Sequence, residues 1–392
     1  MAQVSRITPA AGVTLQATPT TQPGRGGMVH FRTATDRKYE MGSQDVLTLA
    51  AAQQLLTRVL EGTGYLASVD IDVSFVTAGN VNAATAYTAD APWNVLQNVS
   101  FKAIGPDLQT ITGYSLYLLN KYGGFGVRPG DVGPGFVSAD PNVYVLTAGA
   151  NNGTVVHFTL KLPCAINPRN LIGLMGNQDA GTKYQLTTDL GTLAAVYGAN
   201  VPTNAPVVTI QRFLDYCSVP AALDAQGMQQ QQVPPSYGVL HMANELRSEA
   251  AVVSAATVNH FIRSLGNTDR VFILVFRDST GARSDLCLPT RITLRVGADV
   301  KYSESSAHRR KVMYDRYGFD APAGILVYDF ISDFAGNVGA GFEIGDDWFN
   351  SNNIPNAQFE CTYPVIGNTP GSLTIVTDQL VIPSTLDVKS FV

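Results

Sequence analysis

The sequence predicts an all-β protein built as two tandem eight-stranded antiparallel jelly-roll β-sandwiches with a few short helices. Three observations carry that reading. Only 15% of the 392 residues are charged, while the chain holds 36 Gly, 21 Pro and an apolar share of 45%, a composition of strands, turns and a sizeable core. From Ser68 to Phe75 the side chains alternate, with Val69, Ile71, Val73 and Phe75 on one face and Ser68, Asp70, Asp72 and Ser74 on the other. That is the period of a half-buried antiparallel strand. The plan then occurs twice, on either side of Pro220 to Ser236, where Met228-Gln229-Gln230-Gln231-Gln232-Val233-Pro234-Pro235 lacks any hydrophobic period and suits a linker.

In chain order, residues 1–36 form an N-terminal arm. Its Arg6, Arg25 and Arg32 are accompanied by no Asp or Glu through residue 35, and it has no sustained apolar period, so an extended or poorly ordered segment is expected. Residues 37–219 make the first jelly roll. Ser43 to Leu60 reads as a helix capped by Ser43, with Val46, Leu47, Leu49, Leu55, Leu56, Val59 and Leu60 as its apolar stripe. Strands are predicted at Ser68–Phe75, Val95–Ile104, Thr110–Leu119 and Val155–Leu162, the last with Val156, Phe158, Leu160 and Leu162 inward and His157, Thr159 and Lys161 outward. Weaker strands follow at Leu171–Met175, Lys183–Leu190 and Val207–Tyr216, and Tyr122 to Gly153 is a long Gly-, Pro- and Asp-rich loop.

Residues 220–236 form the linker and 237–392 the second jelly roll. Its strands are predicted near Ala251–Phe261, Arg270–Arg277, Arg283–Leu288 and Ile292–Val296; Arg270 to Phe276 is almost continuously apolar and should be buried on both faces. Ser303 to Tyr317 reads as a helix with Arg316 in its last turn and Gly318 as C-cap. Ile325–Phe330, Ile354–Val365 and Leu373–Val376 complete the strands. With no crossover helices between them, they argue for an antiparallel sheet against βαβ units.

Composition also limits function. A net charge of −5 gives no global attraction to nucleic acid or anionic lipid, so no sequence-specific nucleic-acid partner is expected. Charges are depleted where protein meets protein, so the low charge of this chain points to a surface covered in large part by neighbours. Cys164, Cys217, Cys287 and Cys361 are scattered without a CxxC pair and are expected to be reduced. Neither a signal peptide nor a membrane-spanning run is visible, so the protein is expected to be made and used in a cytoplasm-like compartment or carried out of the cell by lysis. The five histidines have no metal spacing; His157, His260 and His308 read as structural or solvent-facing. GxSxG, HExxH and P-loop patterns are absent. Asp346-Asp347 lacks further oxygen ligands, and Asp70 with Asp72 reads as a polar interface edge and not as a glycosidase pair. No catalytic, cofactor-binding or metal residue, and no cofactor, is expected. Trp93 and Trp348 read as core or interface anchors. The cluster Arg309, Arg310 and Lys311, between Glu304 and Asp315, fits a solvated helix face or inter-subunit ion pairs.

Several stretches resemble a known family. They are Gly64-Tyr65-Leu66 before the alternating strand, Pro92-Trp93-Asn94-Val95-Leu96-Gln97-Asn98-Val99, Phe158-Thr159-Leu160-Lys161-Leu162-Pro163 with Asn170-Leu171-Ile172-Gly173, Arg212-Phe213-Leu214-Asp215-Tyr216, and the basic helix followed by Gly324-Ile325-Leu326-Val327-Tyr328-Asp329-Phe330. They resemble the double jelly-roll major capsid proteins of tailless icosahedral viruses, the tectivirus-like, membrane-containing bacteriophages in particular. The resemblance implies a structural virion protein and not an enzyme. Such a protein forms pseudo-hexagonal homotrimers that tile an icosahedral capsid, and assembles in the host cytoplasm. Its partners would be neighbouring trimers, penton or minor capsid proteins and an internal lipid membrane, with the arm bearing Arg6, Arg25 and Arg32 touching lipid phosphates or an adjacent trimer. The alternatives are a non-enzymatic receptor- or glycan-binding β-sandwich of a virion spike and a cupin-type enzyme; the latter lacks its His-x-His pattern.

Overall fold

The computed structural model describes residues 28–50, 52–61, 64–77, 88–102, 107–125, 143–147, 154–166, 171–178, 184–198, 201–202, 204–234, 240–248, 250–262, 268–318, 320–330, 349–350, 357–365 and 371–381. Among the described residues, ten strands precede the glutamine-rich stretch: β1 (Arg37–Thr48), β2 (Gln54–Val59), β3 (Gly64–Thr77), β4 (Leu96–Lys102), β5 (Asp107–Ile111), β6 (Val143–Thr147), β7 (Thr154–Pro163), β8 (Met175–Asn177), β9 (Gln185–Leu190) and β10 (Val207–Cys217). Nine follow it: β11 (Leu240–Arg247), β12 (Thr257–Phe261), β13 (Thr268–Arg277), β14 (Arg291–Val296), β15 (Asp299–Glu304), β16 (Ile325–Asp329), β17 (Phe349–Asn350), β18 (Ala357–Thr362) and β19 (Ser372–Val381). The helices are α1 (Phe31–Ala34), α2 (Gly113–Tyr122), α3 (Leu193–Tyr197) and α4 (Ser306–Tyr317).

In the first half, β1-β10-β3-β7 forms one sheet and β2-β9-β4-β5 the other; β6 and β8 are additions to the first sheet. The second half has β11-β19-β13-β16, with β17 added, and β12-β18-β14-β15. Leaving out the added strands and counting each half's strands in chain order gives the same two orders both times, 1-8-3-6 and 2-7-4-5. That is the jelly roll, present in tandem as the alternation predicted. The rolls stand edge to edge: β5 meets β11 in parallel at Thr110 and Asn244, so the first roll's second sheet and the second roll's first sheet fuse into a nine-stranded sheet.

Each roll fills its interior from facing strands. Val69, Ile71, Val73 and Phe75 of β3 meet Val99 and Phe101 of β4 and Leu186 of β9 in the first. Phe272, Leu274 and Phe276 of β13 meet Ile292, Leu294 and Phe359 in the second. Each such side chain contributes roughly 1.5–3 kcal/mol on burial. β13 is buried on both faces, as its apolar run predicts: Val271, Ile273 and Val275 leave the second roll's interior and join the cluster that continues into the first.

Local pattern was misleading in several places. Ser43–Leu60 is no helix but β1 and β2, two edge strands in different sheets. Its apolar residues mix an inward set, Leu47 and Leu49, with an outward set, Val46, Leu55 and Val59, so two exposed edges imitate a helical stripe. The expected strand Thr110–Leu119 ends at Ile111 and continues as α2, whose apolar run lacks a polar stripe because almost all of it is buried. Gly113 permits the helix to start there, since a Cβ would lie 2.3 Å from the Trp93 carbonyl oxygen. Leu171–Met175 reaches a strand only at Met175, and Ala251–Phe261 only from Thr257; β11 was not foreseen. Arg283–Leu288 is a single tight turn at Asp285–Cys287. Ser303 and Glu304 end β15, and the helix starts one residue after Ser305, whose hydroxyl accepts the His308 N–H as N-cap. The Gly318 C-cap is present, with φ at +76°. The arm's last residues are fixed: Phe31 is buried edge-on against Tyr65, and Val29 bridges Gln230.

Candidate functional site: the seam between the rolls

Among the described residues, charged and aromatic groups from both rolls come together where the two rolls meet. Helix α2 follows β5 and packs against β4 and β7 of its own roll and against β19 of the second. Its N-cap Thr112 is tied to the second roll by Glu245, which accepts the Thr112 N–H at 3.0 Å and its hydroxyl at 2.7 Å. At its other end, Tyr122 packs edge-on against Tyr317 of α4, 5.0 Å between ring centres. Trp93 is half-buried and stacks on Tyr117 of α2 at 3.7 Å, the anchoring role its sequence context suggested.

Beneath the end of α2 lies a buried charge triad from three strands. Asp378 of β19 accepts from Arg270 of β13, Nε at 2.8 Å, and from His241 of β11. The Phe125 ring covers the Arg270 guanidinium at 4.9 Å. His241 is also bound to the first roll: its Nδ1 donates to the Pro163 carbonyl at 3.1 Å, and its own carbonyl accepts from Gln109 at 2.9 Å. Burial works to raise the Asp378 pKa, but the charges of Arg270 and His241 outweigh it and hold the carboxyl down to about 2. A second clamp sits nearer the start of α2. Asp90 of the first roll accepts from Arg277 and Arg283 of the second, each at 2.7 Å, while Arg283 lies 4.7 Å over the Tyr114 ring. These contacts fix the angle between the rolls with specific partners.

Each roll has its own internal ties. In the first, Arg212 of β10 is fully buried and joins Asp45 of β1 and Thr188 of β9, both at 2.6 Å, so one guanidinium links the two sheets. In the second, His260 lies between Ser248 at 2.7 Å and the Tyr363 hydroxyl at 2.8 Å, and burial lowers its pKa to about 4. On the outward face of the first roll, His157 binds Asp72 at 2.7 Å beside Thr159. The bond to Asp72 raises the His157 pKa; burial pushes Asp72 up, yet the His157 and Thr159 hydrogen bonds bring it below the usual carboxylate value.

The basic cluster named from sequence is not one surface. Arg309 is buried, donates to the Val327 carbonyl at 2.6 Å and covers the Tyr328 ring at 4.4 Å. Arg310 pairs with Asp285, and the exposed Lys311 pairs with Asp315 one turn on. Arg32 is exposed on α1; Arg6, Arg25, Trp348, Asp346 and Asp347 fall outside the described residues. All four cysteines are free and buried. Among the described residues, no group of three or more His, Cys, Asp or Glu is placed to hold a metal, and no helix is long and apolar enough to cross a membrane. Sequence reasoning missed the seam triad, although a lone charge inside an apolar strand, such as Arg270 or Asp378, is a signal of a buried pair.

No protein-family model matches the sequence, and no curated protein matches it either. Solved structures do. A structure of the Sulfolobus turreted icosahedral virus aligns with TM-score 0.61 and 16% identity over 91% of this chain and 95% of that one. The crystal structure of the STIV major capsid protein aligns at 0.60 and 17%, over 90% and 99%. The PBCV-1 virus capsid aligns at 0.61 and 15%, over 88% and 94%. At these identities the likeness is one of fold, and the fold is the double jelly roll.

Proposed function

We propose that the chain is the major capsid protein of a tailless icosahedral virus, a structural protein that works as a homotrimer in a shell. The observation that carries this reading is the repeated strand order, 1-8-3-6 with 2-7-4-5, set side by side through β5 and β11. That contact is heterologous: it joins the fifth-strand edge of one roll to the first-strand edge of the other. Among the described residues, the same two edges, on β15 and β1, carry no further strand. Heterologous contacts of one rotation close a ring, and three chains of two rolls each complete a pseudo-hexagon. We read 37–219 and 237–392 as the two building units, joined at 220–236. Obligate oligomer interfaces bury about 2,000–5,000 Å², enough to hold such a tile, and weaker contacts between tiles sum over a closed shell. The likeness in fold to the capsid structures above supports this reading.

Native mass measurement with negative-stain imaging of the purified chain tests it. Trimers of hexagonal outline are expected, and a stable monomer at micromolar concentration would overturn the proposal. The finer part, a membrane-containing phage, follows from the sequence resemblance, with the arm bearing Arg6, Arg25 and Arg32 as the expected lipid contact. Particles built from a chain lacking residues 1–27 are expected to lose lipid; unchanged lipid content would refute that part alone.

A further inference from the structure

The second strand of each roll, β2 in the first and β12 in the second, is an edge strand that the chain reaches by crossing from one sheet to the other. The two crossings are tied by different chemistry. In the first roll, Asp45 of β1 accepts from Arg58 of β2, Nε at 3.0 Å, and from Arg212 of β10 at 2.6 Å. The hydrogen bonds from Arg58 and Arg212 hold the Asp45 carboxyl below the usual carboxylate value, so this tie keeps its charges in mild acid. In the second roll the tie is a neutral ring. His260 is fully buried; its Nδ1 meets the Ser248 hydroxyl just beyond β11, and its Nε2 meets the Tyr363 hydroxyl just beyond β18.

That ring is the main hold β12 has on the interior. The strand is five residues long and, among the described residues, pairs with β18 alone. Thr257, Asn259 and Phe261 are exposed and Val258 is half-buried, which leaves His260 as its one fully buried side chain. The crossing 252–262 is fastened at its two ends: Val252 bridges Gly371, and the Ile262 N–H donates to the Ala357 carbonyl at 2.9 Å. Between them Ala255 sits in the left-handed region with φ at +52°, a conformation that a side chain disfavours and that opening would relieve. No charge balances the ring. Tyr363 faces it and in turn faces the thiols of Cys361 and Cys287, and burial keeps all three protonated. Glu360, on the neighbouring strand, belongs to the outward face and is bound to Arg295. Arg247, beside Ser248, is exposed.

We propose that the crossing 252–262 is an acid-opened flap: protonation of His260 releases β12 from the second roll while the strands behind it stay folded. A neutral imidazole donates from one nitrogen and accepts at the other, and the two hydroxyls serve both needs. An imidazolium in the same place has no counter-charge, and burial alone lowers the His260 pKa to about 4. The proton is taken up at less cost when the ring swings into water with its strand. An edge strand with one paired neighbour and little inward packing is the part of a sheet that opens first. The release uncovers the edge of β18 and the interior around Phe359. The device belongs to the single chain and stands whether or not the chain assembles. The first roll has no counterpart, because the Asp45, Arg58 and Arg212 tie holds β2 with permanent charges.

Hydrogen exchange read by mass spectrometry on the full-length chain, corrected for the intrinsic pH dependence of amide exchange, tests it. Peptides covering β12 should open about twentyfold more often at pH 5 than at pH 7, the change set by a ring that titrates at about 6.5 in water and about 4 when enclosed. At both pH values β12 should exchange well ahead of β13 and β14, and β2 should show no such rise. His260→Gln keeps hydrogen-bonding capacity and takes up no proton, so the pH dependence should vanish in that variant. Tyr363→Phe keeps the titrating ring and removes one partner; β12 should then open more often at both pH values with the twentyfold ratio preserved. Opening of β12 that does not change with pH would overturn the proposal. So would β12 exchanging only in step with β13 and β14, which would mean that the whole roll unfolds. An equal rise at β2, or a pH dependence that survives in His260→Gln, would assign the effect to another group and overturn it as well.

Discussion

The two rolls share one strand order and differ in what happens to the outward face of their first sheet. In the second roll that face is Val271, Ile273 and Val275, buried in the same hydrophobic cluster as Leu116 and Leu119 of α2. In the first it is Asp70, Asp72, His157 and Thr159 among Tyr39, Met41 and Val46, open to solvent at its edge. The same topology therefore serves as interior in one place and as surface in another. What decides is the side chains on every second residue, not the backbone plan.

Breaking the seam should give the largest effect. Asp378→Ala leaves Arg270 buried without its counter-charge, and urea unfolding should show a loss of about 3–5 kcal/mol. The matching change on the open face, Asp72→Ala, removes a partly exposed pair and should cost about 1 kcal/mol or less. A cost as large as that of Asp378→Ala would erase the distinction between the two faces.

Acid should separate the rolls next. His260 has a folded pKa of about 4 against about 6.5 unfolded. Because the folded value is the lower one, its contribution is complete above pH 6.5 and is lost as pH falls toward 4, on the order of 3 kcal/mol. His260→Gln should flatten that part of the stability profile. Asp378 adds a lower window of the same sign: its contribution holds above about pH 4 and disappears as pH falls toward 2. Stability unchanged between pH 6.5 and 4 would contradict the buried neutral assignment of His260.

Glu245→Ala should cost about 1–2 kcal/mol, because it strips the acceptor from the Thr112 N–H and hydroxyl at the start of α2. Hydrogen exchange at the first turn of α2 should rise while that of α4 stays unchanged. The smallest effect belongs to Lys311→Ala in the monomer, about 0.5 kcal/mol or less for an exposed pair one turn apart. His157 has the opposite sign to His260: its raised pKa means the Asp72 pair is fully favourable below pH 6.5 and fades as pH rises past the folded value.

Much of this fold was legible in the chain. β3 and β7 announce themselves by strict alternation, and β13 by an apolar run that needs cover on both sides. β1, β2 and α2 were misread for related reasons. Edge strands expose apolar residues on the wrong face, and a helix buried nearly all round has no polar stripe to set its period. The seam was least legible, since Asp378, Arg270 and His241 come from three strands and only folding brings them together. The clustering of Arg309, Arg310 and Lys311 in sequence was equally uninformative about space, because one turns inward, one binds a loop and one meets solvent.

The four cysteines have a practical consequence. Each thiol is enclosed in packed side chains, and burial raises its pKa, to about 12 for Cys164 and Cys361, so little reactive thiolate forms at neutral pH. A cysteine introduced at an exposed position such as Leu286 or Val365 would then react with a maleimide dye ahead of the native four, giving one label per copy wherever the chain assembles.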